Sequence, residues 1–268
     1  MADGVIRAHL AMVRAQIRSQ AQYRLSLGVE IASSAAFGVL DLLVILVLFR
    51  VARSLGGFRF PEALLMAALA GSGFALADLA VGNVERIKDY VRTGLLDAVL
   101  VRPLGSLAQL LSVDFTPRRV GRAVLMVGLL GVAVRVAHVH LTPARAALLV
   151  VAPLAGLVLF GAVFVASAAV AFWWIDSREF ASSVTYGGRE FSTYPVTVYG
   201  GLFRRVFAYG LGFAFVGYLP ALVLLGRPDP LGTPAALGWA APFVALAAAG
   251  AAALVWRSGI RHYRSTGS

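Results

Sequence analysis

Cysteine is absent from this 268-residue sequence, and lysine occurs once, at Lys88. The first absence excludes disulfides, thiolate metal sites and thiol catalysis. The second excludes a Walker-type phosphate-binding loop, which needs a lysine after its second glycine, whereas Lys88 follows Ile87 with no glycine near it. Charge is scarce as well: Asp, Glu, Lys and Arg make up 14% of the chain, against roughly a quarter in soluble domains. No H-E-x-x-H and no G-x-S-x-G occurs. His138 and His140 are two apart and would leave a helix on different sides. The "GSGFALA" stretch from Gly71 to Ala77 echoes a dinucleotide fingerprint, but it lies inside an apolar run and follows no strand. Small residues there suit close helix packing instead, as do Ala67-x-x-x-Gly71 and Ala245-x-x-x-Ala249. With no catalytic constellation and no cofactor motif, the chain is expected to be neither an enzyme nor a cofactor carrier.

What is present is apolar surface: hydrophobic residues are 59% of the chain. A hydrocarbon layer of about 30 Å needs about 20 apolar residues in a spanning helix, and several such runs occur. β-barrel strands would read as weak alternations of about ten residues instead. The expected fold is therefore an all-α polytopic membrane protein forming a single transmembrane domain. Six spans are expected, at about 31–51, 61–81, 123–139, 146–172, 206–225 and 235–256. The charged and polar first twenty-odd residues do not resemble a cleaved signal peptide.

Basic residues set the expected orientation, because cytoplasmic loops near spans carry the Lys/Arg excess. With six spans and both termini inside, eighteen of the 24 basic residues fall on the cytoplasmic side. The net charge of +11 is then mostly a bias toward an anionic leaflet and calls for no nucleic acid. Residues 5–24 carry Ile6, Leu10, Val13 and Ile17 at helical spacing, with Arg7, Arg14 and Arg18 off that stripe. This reads as an amphipathic helix lying in the cytoplasmic interface, or as a soluble helix packed on the cytosolic loops.

Three places hold polar groups where polar groups are unexpected. Asp41 falls near the middle of the first span, where an exposed charge is costly, so it makes an interhelical hydrogen bond or lines a polar path or subunit interface. Asp78 falls in the last turn of the second span, close to water, and is a candidate for the path or subunit interface. The aromatic-rich loop expected after the fourth span, with Trp173, Trp174, Tyr194 and Pro195, is too polar and glycine-rich to span; it suits headgroup anchoring or a gate at the inner mouth. Finally, residues 85–106 read as two short amphipathic helices with a bend at Gly94 and a stop before Pro103. Ile87, Val91, Leu95 and Leu96 form the apolar face, and Asp89 and Arg92 point elsewhere.

The "GLLDAVLVRPLG" segment resembles the G-x-L-D-x-x-L-x-R-P-L pattern of permease subunits in bacterial ATP-binding-cassette type 2 exporters, a six-span family. "FWWIDSREF", "TYPVTVY", "GYLPALVLLG" and the closing "WRSGIRHYRSTGS" are similar to further pieces of that family, in the same order over nearly the whole chain. One departure is Gly212, which stands where the family places a proline eight residues before Pro220. The resemblance implies two permease chains, identical or related, enclosing a path in the bacterial inner membrane. It also implies a separate ATPase subunit that binds ATP and Mg. Residues 85–106 would hold the coupling helix that docks on the ATPase. Asp89, Arg92, Asp97 and Arg102 would be its polar contacts, with Leu95 and Leu96 as apolar anchors; Asp97 could equally pair with Arg102 within the loop. An ion-gradient-driven secondary transporter is the alternative, although one buried Asp and no evident repeat give it little support.

Overall fold

The computed structural model describes residues 28–29, 33, 43–101, 105–112, 116–174 and 177–263. The expected N-terminal helix over 5–24, Asp41 and Arg102 lie outside the described residues. Within them the fold is helical, without a β-strand. Residues 43–51 form a helix that buries Ile45 and exposes Val44 and Val47, and Phe49 meets Phe60 edge-on at 5.8 Å.

Helix α1 (Phe60–Val81) is the centre of the stack. Its start is fixed by Arg59 in extended backbone, by Pro61 in the first turn and by Glu62, whose carboxylate accepts the Arg59 N–H at 2.7 Å. Every residue from Ala63 to Ala70 is buried, as expected for a helix apolar all round and enclosed by neighbours. α5 (Pro117–Val136) covers one side of it. The Ser72 hydroxyl ties the two together, 2.7 Å from the Ala68 carbonyl and 3.0 Å from that of Met126. α6 (Pro143–Ala169), with Thr142 accepting the Arg145 N–H as its cap, covers another side. α1 and α6 touch at Gly73 and Gly156, where a Cβ on Gly73 would lie 2.8 Å from the Gly156 Cα. α10 (Ala241–His262) packs along α6.

Three described helical stretches are long and apolar enough to cross a membrane: Phe60–Arg92, Pro143–Phe172 and Ala241–His262. α5 has the length but carries Arg118, Arg119, Arg122 and Arg135 toward its two ends. The stack therefore has two ends, one holding Phe60 and Pro143, the other Val81 and Phe172.

Two expectations are corrected here. The segment after Phe172, expected as an inner loop, is largely a 16-residue helix, α7 (Arg178–Thr193). It climbs antiparallel to α6 from the Phe172 end. Thr185 bonds Ser167 at 3.0 Å, and Tyr186 packs on Phe74 at 5.7 Å. Past its end, Thr197 donates to the Gly56 carbonyl at 2.7 Å, beside the start of α1. Trp173 and Trp174 thus sit at one end of the stack, while Tyr194 and Pro195 lie toward the other, separated by about 24 Å of helix. The glycines read as loop-formers, Gly187 and Gly188, are internal to α7; Gly188 leaves room for the Phe213 ring.

The expected fifth span over 206–225 is not one helix. It splits into α8 (Gly201–Arg204), continued by a π-helical turn through Arg205–Gly210, and α9 (Tyr218–Leu225), with a 60° bend at the break. Gly212 makes the break, in the left-handed region at φ +79°, which proline cannot adopt. The tip at Gly212 abuts Leu159 and Val244, deep beside α6, whereas Gly226, beyond α9, abuts Arg145 near the Pro143 end. By length and composition the bent pair is either one broken span or a re-entrant loop.

Candidate functional site

Beyond Val81 the chain turns through a short 3-10 segment, Gly82–Arg86, into α2 (Ile87–Arg92), α3 (Leu95–Leu100) and α4 (Ser106–Ser112). Gly94, at φ +71°, makes the corner between α2 and α3. Ile87, Val91, Leu96 and Val99 recur at helical spacing on each helix and are buried in the main core. The opposite face presents Asp89, Arg92, Leu95, Asp97, Leu100 and Val101. Leu95 is 55% exposed and Val101 83%, while Leu96 is fully buried. The expectation of Leu95 and Leu96 as a paired docking anchor is corrected: adjacent positions on a helix point apart, and only Leu95 faces outward.

A polar foundation holds these helices against the stack. Asp78 is buried in the last turn of α1, with Arg119 Nε at 2.9 Å and Arg122 Nη1 at 3.5 Å. Arg119 also donates to the Asn83 side-chain oxygen, and Asn83 Nδ2 donates to the Leu111 carbonyl of α4 at 3.4 Å. Gln109 of α4 donates to the Val99 carbonyl of α3 at 3.0 Å. One network thus joins the end of α1, the start of α5 and the short helices between them. Asp78, expected at a path or a subunit interface, is here enclosed by two arginines of the same chain. Arg119 and Arg122 read in the sequence as loop charges. Their spacing of three, which puts both on one helical face, was the available signal.

The C-terminal end of α10 closes on the same region. Phe172 receives Trp256 at 5.3 Å and Tyr263 at 6.3 Å, and Gly259 gives the ring its space. Trp173 stacks on His262 at 5.9 Å, and Trp174 meets Phe180 at 6.4 Å. The pKa of the Tyr263 phenol is raised, first by burial and then by the Asp97 carboxylate of α3. Between the Gly82–Arg86 turn, α6 and α7 lies a cavity of about 230 Å3, lined by Glu85, Lys88, Ser167, Ser177, Ser182 and Tyr186 among others. Among the described residues no cluster of three or more His, Asp or Glu could hold a metal.

Residues 36–267 match the family described as ABC-2 family transporter protein. The chain belongs to that family. It is a multi-pass membrane protein and the membrane component of an ABC transporter. No curated protein and no solved structure matches it. Within this ABC-2 transporter protein, Asp89, Arg92, Leu95 and Asp97 share the exposed face of α2 and α3. Trp173 and Trp174 are exposed beside the end of α10. Pro195 is buried and Tyr194 half-buried, away from both tryptophans.

Proposed function

We propose that this chain is the permease subunit of a bacterial ABC exporter, working as a dimer in the inner membrane with a separate ATPase. ATP and Mg belong to that ATPase, and α2–α3 is the segment that docks on it. The observation that carries this reading is the division of α3 into a buried and an exposed side. Val99 and Leu96 fasten it to the core, and Leu95, Leu100 and Val101 stand exposed. Charged Asp89 and Arg92 flank that apolar tip on the same exposed surface. Apolar side chains rimmed by charge, at the end of a membrane protein and held by a polar network, make a surface for a protein partner. Export as the direction follows from the resemblance of the Arg-Pro loop to exporter permeases.

In this reading α7 is the fifth span, and residues 201–225 are a hairpin that enters the membrane from the outer side and returns. Arg204 and Arg205 then lie outside. Fifteen of the 24 basic residues still fall on the side of the coupling loop, with both termini there, which supports placing that side in the cytoplasm.

The test is co-expression with a candidate ATPase subunit, purification in detergent, and comparison with the double variant Arg92→Glu, Leu95→Asp. The wild type should bring down the ATPase and stimulate its turnover. The variant should lose both while eluting as the same monodisperse species, since neither side chain is in the core. Transport by the reconstituted chain alone on a proton or sodium gradient would overturn the reading.

A further inference from the structure

The reading of α7 as a span has a chemical consequence for the cargo, which rests on the proposed function above. The outward face of α7 carries Glu179, Ser183, Tyr186, Gly187 and Glu190, at successive helical turns. All five are exposed, and the two carboxylates are separated by about 16 Å along the axis. The outward face of α10 is the opposite in kind: Phe243 is 74% exposed, Leu246 65% and Leu254 67%. Lipid accepts the α10 face and rejects that of α7, because charged and hydrogen-bonding side chains at membrane depth turn toward water or polar partners. The inner face of α7 is already occupied by the stack, with Thr185 and Ser192 buried.

Which charge the face offers is set by the Arg189–Glu190 pair. Their side chains meet at 3.1 Å, but the arginine is 22% exposed and the glutamate 58%. Arg189 lies over the Phe74 ring at 5.7 Å, turned into the protein, and its neighbour's carboxylate turns out. The partly exposed Tyr186 ring, one helical turn below, adds a π-face of the kind that attracts cations. We infer that the outward face of α7 is the wetted wall of the translocation path, and that Glu190 with Tyr186 selects cargo bearing a positive charge and hydrogen-bonding groups. Covering by a second copy of the chain would instead need matching polar groups in a dry interface.

The absence of cysteine makes the test direct. Ser183→Cys is nearly isosteric, and a Cβ at Gly187 meets nothing within 4 Å, so both variants should fold. Each is assembled with the ATPase in proteoliposomes and treated with methanethiosulfonate reagents carrying either a trimethylammonium or a sulfonate group. Leu246→Cys and Leu254→Cys on α10 serve as lipid-facing references. Both α7 cysteines should react at least tenfold faster than the references. At Gly187→Cys the cationic reagent should be favoured several-fold over the anionic one, relative to a free thiol, and Glu190→Gln should abolish that preference. Reaction no faster than at Leu246→Cys overturns the wetted wall. Disulfide formation between two copies at Gly187→Cys, with protection from reagent, also overturns it and assigns the face to a chain–chain interface. A preference that survives Glu190→Gln overturns the cationic cargo alone. Co-purification of the ATPase is scored on the same preparations. Its presence with unreactive α7 cysteines would sink this inference and spare the permease reading, and its loss with reactive ones would do the reverse.

Discussion

Thr197 and Gly56 are 141 residues apart in sequence, yet the Thr197 hydroxyl donates to the Gly56 carbonyl at 2.7 Å. Gly56 precedes α1 and Thr197 follows α7, so this bond fixes the far end of α7 at the start of α1. In the proposed topology Val198, 45% exposed, lies on the outer side of the membrane and Trp174 on the inner. In intact cells Val198→Cys should react with an impermeant maleimide. Trp174→Cys should react only after permeabilisation. The reverse pattern at Val198 would restore an inner loop after the fourth span and dismiss α7 as a crossing.

Why α7 was not legible in the sequence follows from its residues. Apolar runs identify spans that face lipid or an apolar core, as with Leu64–Ala70 or Leu148–Phe160. α7 instead packs Thr185 on Ser167 and Gly188 on Phe213, and it turns Glu179, Ser183 and Glu190 outward. Hydropathy therefore does not mark it, and the two adjacent glycines read as loop-formers. The break within 201–225 was hidden for the converse reason. The segment is apolar and long enough to span, and nothing local says that the chain bends by 60° around Gly212. The segment after α1 was more readable. The apolar face through Ile87, Val91 and Leu96 shows in the sequence, whereas the Asp78–Arg119 bond across 41 positions depends on how α1 and α5 are stacked.

Leu95 and Leu96 give a paired experiment because burial separates two adjacent identical residues. Leu96→Ala should cost about 2–5 kcal/mol through the cavity it leaves, lowering the melting temperature in detergent and the yield. Leu95→Ala, 55% exposed, should leave melting unchanged and weaken ATPase binding about tenfold or more. Equal thermal losses in both variants would mean that Leu95 is a core residue and that the exposed tip of α3 is no docking surface.

Asp78 should behave as half of a buried pair. Asp78→Asn leaves Arg119, whose side chain is 17% exposed, without its charge partner, at a cost of about 3–5 kcal/mol before discounting for that residual exposure. Adding Arg119→Met removes the stranded charge and should recover part of the loss. A double variant that is less stable than the sum of the single variants would show that Arg119 is held mainly through Asn83. ATPase coupling should fall with stability in the single variant and return with it in the double one. A foundation behaves in this way; a residue that moves cargo would stay impaired.

The contact between Gly73 and Gly156 sets how closely α1 and α6 approach, and it lies at the level where Val216, between the two bent limbs, meets Gly156. A methyl group on Gly73 would sit 2.8 Å from the Gly156 Cα and 3.0 Å from its carbonyl carbon, both backbone atoms that cannot rotate away. Gly73→Ala must therefore separate two long helices along much of their length. The helix propensity gained by replacing glycine with alanine, about 1 kcal/mol, opposes that separation but should not offset it. The expected result is lower thermal stability by several degrees. Gly128→Ala on α5 is the control: a Cβ there meets nothing within 4 Å, so the same exchange should be neutral or stabilising. If Gly73→Ala matched Gly128→Ala, the helices would have room to spare at their crossing, and close packing of α1 on α6 could not be what seats Val216 against Gly156.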